Sequence, residues 1–324
     1  MAFDNIRRMV LKPVYVINGF LDAGKTDFMS YTISQPYFQA EGRTLLIVCE
    51  EGENEYDESL LRQTNTVAEY VDSLEALTPQ ALMEMDSRHD PERILIEFNG
   101  MWDYRKFRLP RKWRLEQQIT VIDTSHFELY FNNMKSLLAE QIRGSDLILF
   151  NRCDSVMDSL AVYKRNVRAI NQKADIVFEG ESGEIDVTLD EDLPFDLNAD
   201  VIELNNFGYG MFFLDALEHV SRYEGKKVRF RAMVAKPPEL GDKAFVPGRM
   251  AMTCCAQDMQ FLGFKCEYED AAGLAEKSWV DVTARIRKDY AEEYGGEGPV
   301  LEAVEVVPAD EPGTPVIDFS NPDE

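Results

Sequence analysis

The segment from residue 19 to residue 26 carries the most specific chemical pattern of the chain. It reads Gly19-Phe20-Leu21-Asp22-Ala23-Gly24-Lys25-Thr26, a Gly-x-x-x-x-Gly-Lys-Thr motif between the β-branched run Val14–Ile17 and a helix-period segment. This is the strand–loop–helix context of a phosphate-binding loop. Glycines let the backbone wrap around an anion, and the loop N–H groups and the helix N-terminus present partial positive charge to it. We therefore expect Lys25 to reach the β- and γ-phosphates of a nucleotide and the Thr26 hydroxyl to bind Mg²⁺.

Two acidic residues belong to this candidate site and are unusual there. Asp22 lies inside the loop, and Asp27 lies in the first turn of the expected helix, where a carboxylate suits the helix dipole. Both would weaken phosphate affinity if they faced a triphosphate. The alternative interpretation is a glycine-rich turn before an ordinary helix. The predicted nucleotide-binding residues of the loop are Gly19, Asp22, Ala23, Gly24, Lys25, Thr26 and Asp27.

A second motif, Asn151-Arg152-Cys153-Asp154, ends a strand-like run at the distance expected for a base-reading loop. An aspartate there can accept two hydrogen bonds from the N1–H and N2–H₂ edge of guanine, which adenine cannot donate. Asn151 and Asp154 are therefore predicted to bind a guanine base. In the alternative interpretation, these side chains cap a helix that begins near Ser155.

Together these segments resemble the CobW family of P-loop GTPases, whose members include cobalt, nickel and zinc metallochaperones. The family's loop, Gly-Phe-Leu-Gly-x-Gly-Lys-Thr-Thr, is similar to residues 19–27, and its Asn-Lys-x-Asp motif is similar to residues 151–154, with Arg152 in place of lysine. Its first switch, Asn-Glu-Phe-Gly-Glu followed by an aspartate, looks like residues 49–53 and Asp57. Its second switch, Glu-x-x-Gly after apolar residues, looks like Glu97–Gly100. The resemblance covers about the first 205 residues.

The resemblance implies roles for the two switches. Glu97 would bind Mg²⁺ through water or orient the attacking water, and the Gly100 N–H would contact the γ-phosphate. Lys25, Glu97 and Gly100 are thus the expected catalytic residues, and Thr26 and Glu97 the expected Mg²⁺ ligands. A carboxylate at the end of a buried strand also suits a metal ion by its chemistry alone. Residues 50–57 would form a nucleotide-sensing loop, although the acidic run from Glu50 to Glu58 fits a solvated face equally well.

The family's transition-metal motif is missing from this chain. Metallochaperones of the family carry Cys-x-Cys-Cys between the switches, but residues 62–71 contain no cysteine. Thiolates are the ligands that would select zinc over magnesium. The transition-metal site that is usual in the family is therefore absent from this chain or is formed by other residues.

The other concentrated chemistry is Cys254-Cys255-Ala256-Gln257-Asp258. This segment looks like the Cys-Cys-x-x-Asp segment in the soluble C-terminal domain of small permease-associated membrane proteins, and that resemblance covers about residues 224–307. Adjacent cysteines of one strand point to opposite faces. Both thiols therefore cannot easily bind one metal ion, and buried structural cysteine is the commoner state. The alternatives are a Zn²⁺ site among Cys254, Cys255 and Asp258, in which one of the two thiols joins Asp258 and Cys266, and a redox thiol.

The order of the elements predicts two kinds of domain. Up to about residue 205, strand-like and helix-like segments alternate, which predicts a three-layer α/β sandwich of the P-loop NTPase type with a mainly parallel sheet. From Lys226, five strand-like runs follow without helices between them, which predicts a small all-β domain such as an OB-like barrel. The predicted divisions are a GTPase domain at 1–223, the β domain at 224–307 and an acidic, proline-rich tail at 308–324.

The charge balance narrows the range of partners. The chain has 34 basic and 59 acidic residues, and its net charge of −25 repels phosphodiester backbones and anionic membranes. No apolar run approaches the roughly 20 residues that span a bilayer. The first residues are too polar for a secretory signal, and the five cysteines do not indicate a disulfide framework. We expect a cytoplasmic protein that binds no nucleic acid, with a guanine nucleotide and a client metalloprotein or a second copy of itself as partners.

These expectations combine into a GTP-binding and GTP-hydrolysing switch of the CobW type, with Mg²⁺ as cofactor and a link to zinc homeostasis or metallocentre assembly. The alternative is a nucleotide-gated scaffold with little or no turnover. The acids of the loop and the missing cysteine motif allow that alternative.

Overall fold

A computed structural model describes residues 11–50, 52, 55–187, 193–252, 259–291 and 296–319. Contacts between Cα atoms divide the chain into two compact units. The first comprises Met1–Leu160 and Lys173–Asp186, and the second comprises Ala161–Gln172 and Val187–Glu324. None of the described helices is long and apolar enough to cross a membrane.

The first unit is built on one eight-stranded sheet. Its strands are β1 (Lys12–Asn18), β2 (Thr44–Val48), β3 (Thr66–Tyr70), β4 (Arg93–Glu97), β5 (Trp113–Asp123), β6 (Leu147–Asn151), β7 (Asp175–Gly180) and β8 (Gly183–Ile185). They lie in the order β3-β2-β4-β1-β5-β6-β7-β8, and all neighbours are parallel except β7 and β8. Every residue of β2 and β4 is buried, as expected for strands covered on both faces. The predicted α/β fold with a mainly parallel sheet is confirmed.

Helices follow most of these strands. They are α1 (Lys25–Ser34), α2 (Glu58–Gln63), α3 (Pro79–His89), α4 (Phe127–Asn133), α5 (Lys135–Arg143) and α6 (Leu160–Ile170), which from Ala161 onward belongs to the second unit. Local chemistry fixes several ends: the Thr78 hydroxyl accepts from the Ala81 N–H at the start of α3, with Pro79 at the first helical position. Helices α4 and α5 are separate, because Met134 leaves the helical conformation between them.

The parallel arrangement brings the chemical motifs to one edge of the sheet. Ile17 of β1 is in register with Glu97 of β4, and Asp123 of β5 is in register with Asn151 of β6. Carboxyl ends of parallel strands form the crevice where ligands bind in open α/β sheets. The loop that starts at Gly19 therefore lies between the second switch and the predicted base-reading loop.

The second unit is mostly strands. These are β9 (Ile202–Leu204), β10 (Lys227–Ala235), β11 (Ala244–Met252), β12 (Met259–Gly263), β13 (Cys266–Glu267), β14 (Trp279–Ala291), β15 (Gly296–Ala309) and β16 (Val316–Asp318), with helix α7 at Asn206–Glu218. Pairings join β10, β11, β13, β15 and β14 in a closed ring, because β14 also pairs with β10. Apolar residues of β10 alternate inward, and Phe212 and Phe213 of α7 pack on Phe264. A second, mainly β domain is confirmed, and its OB-like type stays a prediction.

The continuous part of the second unit begins before the predicted domain boundary at residue 223 and extends beyond the one at residue 308. Strand β9 pairs in parallel with β10, and α7 packs in the same core, so both lie with the second unit. At the other end, β15 continues to Ala309 and β16 pairs with β11. Ile317 is fully buried, because a β-branched pair inside the acidic segment reaches the core beside Gly210.

Candidate nucleotide-binding site

The loop after β1 requires its glycines. Gly19 and Gly24 have φ angles of 145° and 94°, which disfavour other residues. A Cβ atom at Gly19 would lie 2.4 Å from the Val121 carbonyl oxygen, and one at Gly24 would lie 2.6 Å from the Asn151 side chain. Asp22 also has a positive φ of 58°, a conformation that aspartate tolerates better than most residues. The backbone therefore bends tightly around the position where the motif predicts phosphates.

Lys25 lies folded back over this loop. Its Nζ donates to the carbonyl oxygens of Gly19 at 2.9 Å and Phe20 at 2.8 Å, and it forms an ion pair with Glu50. Only 2% of the lysine side chain and 8% of the glutamate side chain are exposed. A buried ammonium group needs such a counter-charge. In this conformation, Lys25, which is predicted to bind phosphate, is paired with the Glu50 carboxylate of the first switch.

Glu97 connects the loop with the first switch. Its Oε1 accepts from the Thr26 hydroxyl at 3.0 Å, and its Oε2 accepts from the Tyr56 hydroxyl. Burial raises the pKa of Glu97, and the hydrogen bonds from Tyr56 and Thr26 oppose that rise without cancelling it. Burial and the neighbouring Glu97 carboxylate also raise the pKa of Tyr56. Tyr56 therefore stays protonated and keeps its donor role.

Gly100 packs directly against the loop. A Cβ atom at this position would lie 2.2 Å from the Gly19 carbonyl oxygen, so no other residue fits without a backbone shift. The Gly100 carbonyl accepts from the Gln141 side chain at 2.8 Å, which holds the second switch from behind. The sequence-predicted residues Lys25, Thr26, Glu97 and Gly100 thus converge on one place.

The segment from Asn151 to Asp154 is tied to the same loop. Asn151 Nδ2 donates to the Ala23 carbonyl at 2.7 Å, and Arg152 donates to the Asp22 carbonyl at 3.1 Å and to Asp123 Oδ2 at 2.5 Å. Burial works against ionisation of Asp123, but hydrogen bonds from Ser125 and Arg152 outweigh it and lower the pKa of this carboxyl.

Asp154 has a different partner. Its Oδ2 accepts from the backbone N–H of Glu181 at 2.9 Å, which joins the segment to the turn after β7. The alternative in which Asn151 and Asp154 cap a helix is wrong, because the turn that begins at Cys153 has no side-chain cap. Asn151 instead holds the phosphate loop.

Two cavities meet at this edge of the first unit. The smaller, about 130 Å³, is lined by Asp22, Gly24, Lys25, Thr26, Glu50, Glu97 and Arg152 among others. The larger, about 730 Å³, is lined by aromatic and aliphatic side chains, including Phe28, Tyr31, Tyr37, Leu149 and Val177, and also by Gly24, Asp27, Asn151, Glu179 and Glu184. A polar cavity beside a more apolar one fits the phosphate and base ends of a nucleotide.

Residues 13–178, half of the chain, match the CobW/HypB/UreG nucleotide-binding domain. The chain belongs to this family. The following segment, residues 184–317, matches the DUF1980 C-terminal domain. Both resemblances expected from the sequence are confirmed, the second over a longer stretch than residues 224–307.

Two of the solved structures that are similar to this CobW/HypB/UreG-family chain are both distant in sequence. The hydrogenase maturation factor HypB from Archaeoglobus fulgidus has 18% identity, with 55% of this chain and 86% of that chain covered and a TM-score of 0.42. The Zn(II)-bound YjiA GTPase from E. coli has 17% identity, with 84% and 86% covered and a TM-score of 0.42. Among curated proteins, none is significantly similar in sequence.

The cysteines of this family member form no metal centre in the part of the chain that the structure describes. No group of three or more His, Cys, Asp or Glu residues is placed there to hold a metal ion. Cys254, Cys255 and Asp258 lie outside the described residues. Cys266 is fully buried, and burial raises the pKa of its thiol, so it behaves as a core residue.

Sequence reasoning missed three contributors to the site. Tyr56 gave no signal beyond its place inside the acidic first switch, and Asp123 gave none beyond ending a predicted strand. Arg152 was noted only as the replacement for the family's lysine, whereas its guanidinium group binds the phosphate loop and Asp123.

Proposed function

We propose that this chain is a GTP-binding switch that hydrolyses GTP slowly, with Mg²⁺ as cofactor. The observation that carries the proposal is the convergence of Lys25, Thr26 and Glu97 in one cavity, with Gly100 packed against the glycine loop. Catalysis of phosphoryl transfer is mainly positioning and charge stabilisation, and these residues supply both. Lys25 would bind the β- and γ-phosphates, and the loop N–H groups would surround them.

The residues beside the loop fit a magnesium ion. Thr26 Oγ1 and Glu97 Oε1 are 3.0 Å apart, and hydroxyl and carboxylate oxygens are the hard ligands that Mg²⁺ prefers. Bound there, the ion would neutralise charge on the β- and γ-phosphate oxygens. Thr26 and Glu97 would hold it, and the Glu97 carboxylate would also orient a water molecule.

The first switch would respond to the nucleotide by exchange of partners. Glu50 binds Lys25, and Tyr56 binds Glu97. The first and last residues of segment 50–56 are therefore bound to the two groups, Lys25 and Glu97, that a Mg²⁺–triphosphate would also bind. A γ-phosphate that takes Lys25 releases Glu50, and hydrolysis restores the ion pair. This exchange would couple nucleotide state to the conformation of the switch.

Guanine is the proposed base because of Asn151 and Asp154. Asn151 fixes the loop, and Asp154 is the acidic group able to accept from the guanine edge. The test is a thermal shift of the full chain with GTP or ATP, with and without Mg²⁺. We expect stabilisation by Mg²⁺–GTP that Asp154→Ala removes, while Asp158→Ala, an exposed acid of the same turn, leaves it unchanged. Equal stabilisation by ATP would contradict the guanine assignment.

Hydrolysis is tested by phosphate release. Lys25→Ala should lower GTP-dependent release at least on the order of a hundredfold, the size typical of a lost transition-state donor. Lys12→Ala, a partly buried lysine that pairs with Asp86, is the matched control and should keep the rate. Tight GTP binding without release above the Lys25→Ala variant would favour the alternative, a nucleotide-gated scaffold.

We also propose a role in metallocentre assembly, which rests on membership of the CobW/HypB/UreG family. Zinc would need ligands other than the family's missing cysteine motif, and Cys254, Cys255 and Asp258 are the candidates. The Zn²⁺ content of the wild type should exceed that of a Cys254→Ser, Cys255→Ser double variant. Equal content would rule out this site.

A further inference from the structure

An open cavity of about 460 Å³ in the second unit is lined by three arginines. Arg229 and Arg231 alternate with the buried Val228 and Phe230 along β10, so they lie on the outer face of the strand ring. Arg249 comes from β11, and residues 312–314 form another wall. A concentration of arginines is unusual in a chain with a net charge of −25.

Arg249 is the distinctive group of this cavity. Its residue is 4% exposed, and its guanidinium group donates to the Arg231 carbonyl at 3.1 Å, the Thr314 carbonyl at 2.7 Å and Asn206 Oδ1. All three acceptors are neutral and belong to residues that line the cavity. Its Nε has no hydrogen-bond partner, and no carboxylate pairs with it within the residues that the structure describes. A buried charge without a counter-charge is costly.

The other two arginines are partly neutralised. Arg229 pairs with Glu203 at 2.9 Å, and Arg231 binds Asp281 through two hydrogen bonds of 2.8 and 2.9 Å. Among the residues that the structure describes, Arg229 and Arg231 thus pair directly with carboxylates, whereas Arg249 does not. These ion pairs are about half exposed, so an incoming anion can compete with the carboxylates.

The start of α7 adds to the positive potential. Asn205, its N-cap, and Asn206, its first residue, both line the cavity. A helix N-terminus presents unpaired N–H groups and about half a positive charge. Guanidinium groups and helix N-termini are the two commonest ways to bind oxyanions.

We propose that this cavity binds a small oxyanion, a carboxylate or phosphate group, between Arg231, Arg249 and the N-terminus of α7. The oxyanion supplies the counter-charge that Arg249 lacks. Arg231 then turns from Asp281 to the ligand and binds it with its planar fork of donors. The second domain would therefore recognise an acidic small molecule or an acidic group of a partner.

The test is calorimetric titration of the full chain with inorganic phosphate and, separately, with succinate. All variants carry Lys25→Ala, so that the phosphate loop does not contribute. Arg231→Gln should weaken binding about tenfold or more, the effect of one lost charge-assisted hydrogen bond. Asp281→Asn should tighten binding several-fold, because it frees Arg231. Arg287→Gln is the matched control, since Arg287 pairs with Glu267 and Asp289 away from the cavity.

The opposite signs expected for Arg231→Gln and Asp281→Asn distinguish a ligand site from a purely structural arginine cluster. Tighter binding of phosphate assigns the ligand to phosphorylated compounds, and tighter binding of succinate assigns it to carboxylates. Binding of neither probe overturns the proposal. Equal binding by the Arg231→Gln and Arg287→Gln variants overturns it as well. Arg249→Lys, which keeps the charge but loses the fork, should weaken binding without loss of the fold.

Discussion

Lys25 in the first unit and Arg249 in the second are both buried cations, but their partners differ in kind. Lys25 has a carboxylate, Glu50, and two carbonyl oxygens, whereas Arg249 has three neutral acceptors. The first site therefore contains its counter-charge and must give it up when a phosphate arrives. The second lacks a counter-charge among the described residues and gains one from a ligand. The Glu50 carboxylate beside Lys25 suits a site that changes conformation when a ligand binds. The lack of a described carboxylate beside Arg249 suits a site that can bind an anion without releasing one of its own acidic groups.

The largest effect that tests this comparison is on the stability of the nucleotide-free chain. Lys25→Met leaves Glu50 buried without a cation, which should cost about 3–5 kcal/mol. Arg249→Met leaves only neutral acceptors unpaired, which should cost about 1–3 kcal/mol. Methionine keeps a similar length in both cases. Urea denaturation of the two variants gives the order, and a larger loss for Arg249→Met would reverse our account of the two cations.

Two buried glutamates, Glu97 and Glu218, also differ in their partners, and their contributions to stability therefore change with pH in opposite directions. Burial raises the pKa of Glu97, whose hydrogen-bond partners Tyr56 and Thr26 are neutral hydroxyls. Burial also opposes ionisation of Glu218, but Arg168 and Lys164 outweigh it and lower its pKa. The stability that Glu97 contributes is therefore present below the ordinary glutamate pKa and is lost as pH rises through the raised value. The stability from Glu218 is present above the ordinary pKa and is lost as pH falls through the lowered value.

Two substitutions measure this contrast. Glu97→Gln should stabilise the nucleotide-free chain more at pH 8 than at pH 4, by on the order of 1 kcal/mol, because it removes a carboxylate that burial disfavours. Glu218→Gln should destabilise the chain at pH 8 by a similar amount and have little effect at low pH. Denaturation curves over this range give both slopes. Parallel slopes for the two variants would show that burial, not the type of partner, decides them.

The sequence predicts the first site better than the second for a physical reason. Gly19, Glu97 and Gly100 lie at or just after strand ends, and Lys25 begins α1 in the same motif as Gly19. The parallel sheet therefore brings these motifs together. Tyr56 has no such signal, because its contact with Glu97 depends on how the first switch folds back.

The arginine cavity could not be predicted, because no local pattern marks the start of β11. The strand begins at Ala244 and passes through Pro247 and Gly248, a pair that usually marks a turn. A Cβ atom at Gly248 would lie 2.3 Å from the Leu262 carbonyl, so the glycine serves close strand packing instead. Pairing across the ring, which no local pattern encodes, then places Arg249 beside Arg231.

The smallest expected effect concerns the acid inside the phosphate loop. Asp22 lines the phosphate cavity and holds a φ of 58°, so Asp22→Gly removes a negative charge and suits the backbone better. Removal of one solvent-screened charge near a triphosphate is worth about 1 kcal/mol, or about fivefold tighter GTP binding. Fluorescence titration with a labelled GTP analogue measures the change, and Asp27→Asn, in the first turn of α1, should act less. Weaker binding by Asp22→Gly would mean that this carboxylate helps to hold Mg²⁺, so that the first site would use its built-in acids as ligands and not as competitors.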